Sequence, residues 1–281
     1  MLRLLLVVSF LWSLSGLASA SCELNMVYKE GEKLPLIEKK PSDAGLYQDL
    51  FQAAAARIGC KLVIQRYPKK RLHLMLSEGK LDFYPGASFS EDRAEYLYYV
   101  PNGLETGEYG VTNASAESIN GFEELRNRDA VWLMEIGSSK TELAKTLGIT
   151  AQTRSYLDID LMRQFIERSP DKLYFYVADK ELVDYYPKKT GYKSLKAAGL
   201  RVHKLCCGGE QPMYMGFSRF SPHYKDEKNP DYDPNKALSP DNFPVRIVKE
   251  SVVYKLGEAL KSLQKEGKTA ELYRRWFPSE E

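Results

Sequence analysis

The chain is poor in the residues that do chemistry. It has three histidines, His73, His203 and His223, and none stands at a metal-ligand spacing from another or from the four cysteines. No Gly-x-Ser-x-Gly elbow, His-Glu-x-x-His pair or complete phosphate loop occurs. Gly267-Lys268-Thr269 copies only the end of a phosphate loop, because the earlier glycine that such a loop requires is Ser262. Neither a cofactor nor a metal is therefore expected. Charge of one sign is also missing: 40 Lys and Arg face 38 Asp and Glu, a net +2, and the few basic runs such as Lys69-Lys70-Arg71 read as the solvated face of a helix. Nucleic acid is not an expected partner. Internal repeats and low-complexity tracts are absent too.

One apolar run opens the chain. Leu4 to Leu11 follows Arg3 and leads to Ala18-Ser19-Ala20, the layout of a secretory signal peptide over residues 1–20. The run is too short for a convincing membrane span. A mature chain exported to the periplasm is expected, and there cysteines can pair. Cys22 and Cys60 each precede a strand-like run with a helix between them. If those strands are parallel neighbours their starts lie side by side, which predicts a Cys22–Cys60 disulfide. Adjacent Cys206 and Cys207 form a vicinal ring or stay reduced.

Strand and helix patterns alternate from Glu23 onward. Strands are expected at 23–28, 61–67 and 81–84, with helices at 46–58 and 68–78, the first carrying Leu46, Leu50, Phe51, Ala54 and Ile58 on one face. After the loop-like 113–120 the alternation restarts. Strands are expected at 130–134, 173–177 and 200–205, and helices at 122–126, 137–147, 157–168 and 180–186. A strand at 213–217 and helices at 248–264 and 269–276 close the chain. This is an α/β chain with parallel sheet. The aperiodic 221–244, dense in Pro, Asp, Asn and Lys, reads as a surface insertion, either a mobile lid or a plain solvated loop.

Particular stretches go further. Gly45-Leu46-Tyr47-Gln48-Asp49-Leu50, Ala56-Arg57-Ile58-Gly59, Gly79-Lys80-Leu81-Asp82, Gly86-Ala87-Ser88-Phe89-Ser90-Glu91-Asp92-Arg93-Ala94 and the ending Leu260 to Trp276 resemble the family-3 periplasmic solute-binding proteins, the polar amino-acid binders of ABC importers. The resemblance implies a two-lobed periplasmic binding protein fold of type II, two α/β lobes joined by a two-strand hinge. Lobe 1 would be 21–110 and 214–281, lobe 2 would be 111–213, and the crossings would fall near Tyr109–Thr112 and Met213–Gly216. It implies a monomer that closes over a small carboxylate, amino-acid-like ligand and presents it to a permease in the inner membrane.

The same resemblance places the ligand's carboxylate on Arg93 and Ser88, where a guanidinium fork suits a carboxylate. Taken without it, Arg93 reads as a surface partner of Glu91 or Glu95. Ser138 and Ser139, in Gly137-Ser138-Ser139, match the family's anion-binding turn at a helix start, and a capping role there uses the same donors. Asp179 matches the residue that accepts the ligand's ammonium, or is a plain helix cap. Lys29, after the first strand, favours an anionic group on the ligand, and Tyr28 or Tyr84 could form an aromatic wall or belong to the core. A few members of the family are cleft enzymes, cyclohexadienyl dehydratases among them, and for such chemistry Glu30 or Asp179 would be the general acid. A sensory or accessory binder without a permease is the third reading.

Overall fold

In the computed structural model, which describes residues 22–277, the expected alternation becomes two α/β lobes. The expected signal peptide lies outside the described residues. Lobe 1 begins with β1 (Cys22–Lys29), α1 (Leu46–Arg57), β2 (Cys60–Tyr67), α2 (Lys69–Ser77) and β3 (Phe83–Ala87), followed by the short α3 (Glu91–Ala94). β1 and β2 are parallel with Cys22 opposite Cys60, and these two form the predicted disulfide, Cα atoms 4.5 Å apart. α1 buries Leu46, Leu50, Phe51 and Ala54 of the stripe expected from its 3.6-residue period, with Tyr47 and Ala55 besides, while Ile58 of that stripe is the half-buried residue just past its end. Its entry is tight: Gly45 sits at φ 149°, and a Cβ there would lie 2.4 Å from the Leu36 carbonyl oxygen, so glycine is required.

A single 17-residue strand, β4 (Leu97–Asn113), then leaves lobe 1. Lobe 2 consists of α4 (Glu123–Asn127), β5 (Val131–Glu135), α5 (Thr141–Thr146), β6 (Thr150–Arg154), α6 (Ile159–Arg168), β7 (Tyr174–Asp179), α7 (Lys180–Thr190) and β8 (Leu200–His203). β9 (Glu210–Ser218) returns the chain, and α8 (Val252–Lys265) and α9 (Lys268–Trp276) complete lobe 1. The strand order is β2-β1-β3-β9-β4-β7-β5-β6, with β8 also on β4. β4 pairs with β9 as far as Gly107 and with β7 and β8 from Glu108 onward. The passage between lobes thus runs through 105–107 and 210–212, a few residues before each expected crossing. Tyr109–Thr112 is already lobe 2 sheet, and Met213–Gly216 is lobe 1 sheet.

Lobe 1 has one continuous core under β1, β3, α1 and α8. The lobe 2 sheet instead separates two smaller cores. Leu133 packs on the side of α6 and α7, while its neighbours Trp132 and Met134 face the other side with Phe175, Cys206 and Cys207, as strand alternation requires. Cys206 and Cys207 are bonded as a vicinal ring.

The 221–244 segment is largely turns, with a small antiparallel ribbon of β10 (Asp226–Lys228) and β11 (Val245–Ile247) at its edges. It is seated on lobe 1 by buried Phe243, whose ring lies edge-on to Tyr98 at 5.3 Å. Among the described residues no helix is long and apolar enough to cross a membrane.

Candidate functional site

The two lobes meet along a polar cleft. In an α/β sheet the carboxyl ends of parallel strands leave backbone and loop groups facing outward, and ligands sit there. Lys29 ends β1, Ser88 follows β3, Glu135 ends β5 and Asp179 ends β7, so four strand ends of two lobes face one another. Between them lies a cavity of about 120 Å³, and an adjoining one of about 250 Å³ shares Lys33, Gly86, Ser88, Glu108 and Asp179 with it. Gly86 is a second required glycine, since a Cβ there would lie 2.2 Å from the hydroxyl of fully buried Tyr47.

Five cations line the first cavity, Lys29, Lys33, Lys69, Arg93 and Lys140, against three carboxylates, Glu108, Glu135 and Asp179. Most pair across the cleft. Lys29 Nζ is 2.7 Å and Lys69 Nζ 3.4 Å from Glu135, Lys33 Nζ is 2.5 Å from Asp179, and Lys140 Nζ is 2.6 Å from Glu108. Burial pushes the Glu135 carboxyl up, but Lys29 and Lys69 outweigh it and hold the group below its usual range. Asp179 behaves alike: burial is the largest single effect and raises it, but Lys33 with Lys29 and Lys69 together lower it more, and the net is downward. Lys33 is the counterpart: burial opposes its charge most, yet Asp179, Tyr47, Glu181 and Tyr84 together raise it well above an ordinary lysine. Lys69 goes the other way. Burial, reinforced by Lys29 and Arg93, lowers it to about 8 in spite of Glu135.

Arg93 is the exception to the pairing. It is 5 % exposed and donates only to backbone carbonyls, Ser88 O at 3.4 Å and, across the cleft, Gly137 O at 2.9 Å. Neither Glu91 nor Glu95 pairs with it, so the surface ion pair that the local sequence suggested does not form. Ser88 itself lines both cavities. Behind Arg93, half-buried His73 is pushed well below its usual range by burial and by Arg93 and Lys69, and its Nδ1 is 3.1 Å from the Tyr96 hydroxyl. Tyr28 and Tyr84 are stacked at 5.2 Å with planes 4° apart, forming an aromatic floor that is also part of the lobe 1 core.

Two expectations need correction. Ser138 and Ser139 do line the cavity, but the helix does not begin there. They lie in a turn in which Ser138 Oγ accepts from the Lys140 amide at 3.3 Å, and α5 spans only Thr141–Thr146. Lys69 is not merely a solvated helix residue, because α2 starts at the cleft and aims it at Glu135. Asp179 lines the cleft, with the Lys33 ammonium against one of its carboxylate oxygens. Its N-cap alternative does not form a side-chain capping bond. Of the two acids considered for dehydratase chemistry, Glu30 is exposed and outside the cavity lining, and Asp179 is held ionised.

Lys33, Glu108, Glu135, Lys140 and the support beneath them were not picked out from sequence. That support is Arg66, buried at the end of β2. Its guanidinium donates to the carbonyls of Lys29 (2.8 Å), Gly31 (3.1 Å), Glu38 (2.8 Å) and Ser42 (3.0 Å) and to Asp43 Oδ1 (2.8 Å), pinning the loop that carries Lys29 and Lys33. The one signal for Glu135 was position: a carboxylate at the last residue of a parallel strand.

Known structures share this two-lobed geometry. An ancestral arginine-binding protein bound to arginine is 19 % identical over 91 % of this chain and 98 % of its own, with a TM-score of 0.62. A substrate-binding protein of an ABC uptake transporter from Streptococcus pneumoniae, with bound histidine, is 17 % identical over 92 % of this chain and 93 % of its own, TM-score 0.63. An ancestral amino-acid-binding protein described as a precursor of cyclohexadienyl dehydratase is 17 % identical over 91 % and 95 %, TM-score 0.62. At these identities the likeness establishes the fold, that of type II periplasmic binding proteins. No curated protein matches in sequence. Residues 35–279, which include every cavity-lining residue except Tyr28, Lys29 and Lys33, match the bacterial extracellular solute-binding proteins, family 3, and the chain belongs to that family.

Proposed function

We propose that the protein is an extracytoplasmic receptor that closes over a small carboxylate and delivers it, unchanged, to an ABC importer. The observation that carries this is Arg93. A guanidinium buried in an interlobe cleft, bonded only to carbonyl oxygens, has its charge uncompensated by any carboxylate among the described residues. A ligand carboxylate supplies the missing charge and accepts bidentately, and exclusion of water on closure strengthens the pair. Ser88 from lobe 1 and Ser138 and Ser139 from lobe 2 flank the position. Because the lobes contribute to one site only when they meet, ligand selects the closed form, and that form is what a permease would recognise. The amino-acid ligands named for two of the similar structures support the same class of cargo.

The test is calorimetric titration of the exported chain, unfolded and refolded to remove carried ligand, against amino acids, simple carboxylates, prephenate and arogenate. Saturable binding with the ligand recovered intact is expected. Arg93→Met should weaken it by about 2–5 kcal/mol, at least thirtyfold, since the ligand's charge is then buried without its partner. Product formed from prephenate or arogenate would replace the receptor reading with the dehydratase one.

A further inference from the structure

The resident charges restrict the cargo further, if the cleft is a carboxylate site as argued above. We propose that its ligand is a small acid with two anionic groups and no ammonium group, and that Lys33 of the chain itself occupies the place where an amino-acid ligand would put its ammonium.

Lys33 is not a loose surface lysine. Its amide donates to Ile37 O at 2.9 Å, and its carbonyl accepts from Leu36 N at 2.8 Å and Ile37 N at 3.0 Å. Leu36 and Ile37 are fully buried in the lobe 1 core, and Arg66 fastens the same loop on both sides. From this anchored backbone the side chain, 11 % exposed, reaches across to Asp179. A ligand ammonium could reach Asp179 only by displacing Lys33 or by sharing with it a carboxylate whose single charge Lys33 already neutralises. Displacement leaves the largely enclosed Lys33 without a partner, and sharing leaves one positive charge uncompensated; both are unfavourable.

The charge count gives the second anionic group. With Lys33 on Asp179 and Lys140 on Glu108, the remaining groups are Lys29, Lys69 and Arg93 against Glu135 alone. Two positive charges are left over, one at Arg93 and one shared between the lysines that divide Glu135. The depressed titration of Lys69 has the same origin, an ammonium that burial and its neighbours leave under-compensated. A dianion satisfies both positions, whereas a zwitterionic amino acid brings one positive charge more into a cleft in which no carboxylate charge is left uncompensated.

The experiment compares probes that differ only in the amino group: glutarate with L-glutamate, and succinate with L-aspartate. 3-Phosphonopropionate, the phosphonate counterpart of succinate, asks whether the second group is a carboxylate or a phosphoryl-type anion. The wild-type chain should bind each diacid at least tenfold more tightly than its amino acid. Lys33→Met frees Asp179 and should reverse that order, with Lys33→Gln as the substitute if the first variant does not fold. Whichever of succinate and the phosphonate binds better names the second group, and both outcomes support the inference. A wild-type chain that prefers L-glutamate or L-aspartate, that keeps its preference unchanged in the Lys33 variant, or that binds none of these probes overturns it. Amino-acid binding that is lost in Arg93→Met would overturn this inference alone and leave the carboxylate receptor standing; binding indifferent to Arg93→Met would overturn that reading instead.

Discussion

The two lobes present opposite charges to the same cleft. Lobe 1 brings Lys29, Lys33, Lys69 and Arg93, while lobe 2 brings Glu135 and Asp179 together with Lys140, which is itself neutralised by Glu108 on the connecting strand. Their supports differ as well. The lobe 1 cations stand on one continuous core, on a loop pinned by Arg66 and on two strands joined by a disulfide across 38 residues. Lobe 2 has its core divided by the sheet, and its disulfide joins neighbours in sequence. The lobe that holds the surplus charge is thus the more firmly tied one. Across the cleft the lobes meet in ion pairs, and what the surplus attracts is set by lobe 1.

The largest test of this asymmetry is to cut each disulfide. Loop-closure entropy scales with the logarithm of the loop, so Cys22→Ala with Cys60→Ala should lower stability by about 4 kcal/mol. Cys206→Ala with Cys207→Ala closes no such loop and should cost chiefly lost packing, on the order of 1–2 kcal/mol. Denaturant melts of the two double variants read the difference, and equal losses would contradict the contrast between the lobes. Arg66→Met comes next. It strands five loop carbonyls, Glu30 O at 3.4 Å included, and the Asp43 carboxylate, and should cost on the order of 3 kcal/mol. Because Lys29 and Lys33 ride on that loop, ligand affinity should drop with it although Arg66 touches no cavity; unaltered affinity would mean the loop holds its shape unaided.

How much of this could be read from sequence follows from what each signal depends on. α1 was legible to within a residue because its stripe is set by its own period, and the Cys22–Cys60 pair followed from the parallel placement of β1 and β2. β4 was not. Pro101 and Gly103 interrupt it, its pairing register shifts between Pro101 and Glu105, and it changes partners half way, so no single alternation runs its length. β6, Thr-Ala-Gln-Thr-Arg, is a largely exposed polar edge strand and has no apolar face to betray it. Arg93, Ser88 and Asp179 were all found through family resemblance. Lys33 and Lys69 were missed for one reason: a lysine becomes buried by the arrival of the opposite lobe, an event of tertiary structure that leaves no local pattern.

Glu181 sharpens the account on the lobe 2 side. It lies in the first turn of α7, two residues after Asp179, is 2 % exposed and accepts from the Thr106 hydroxyl at 3.0 Å. Burial first and the Asp179 charge second push its carboxyl up to about 7. An acid whose folded value is raised binds a proton in the folded state that the unfolded chain has already released. The Glu181 contribution to stability should therefore fall as pH rises from about 4.5 to about 7, by up to about 3 kcal/mol, and level off above. His73 and His203, whose neutral forms burial favours, contribute a rise over much of the same window that wild type and variant share. Glu181→Gln keeps the acceptor and removes the carboxyl titration, so the difference between the wild-type and variant melting profiles should carry the fall. Profiles that run parallel across the window would mean Glu181 is ionised and lobe 2 carries more negative charge than its neighbours compensate.

The smallest effect concerns binding, and it bears on the lobe 1 surplus directly. With Lys69 at about 8 in the free protein, half its ammonium is gone at that pH, whereas an anion placed against it favours the charged form and raises the value in the complex. Affinity for a diacid should be steady below about pH 7. Above about pH 8 it should fall toward tenfold per pH unit, because each binding event must then take up a proton. Titrations in buffers of different ionisation enthalpy, at the same pH, would register that proton as a buffer-dependent heat. Lys69→Met should abolish both the slope and the buffer dependence while Arg93 retains the first carboxylate. If the wild-type chain shows neither, Lys69 does not face the second anionic group, and the leftover charge must be met by Lys29, whose contact with Glu135 would then have to loosen when the ligand enters.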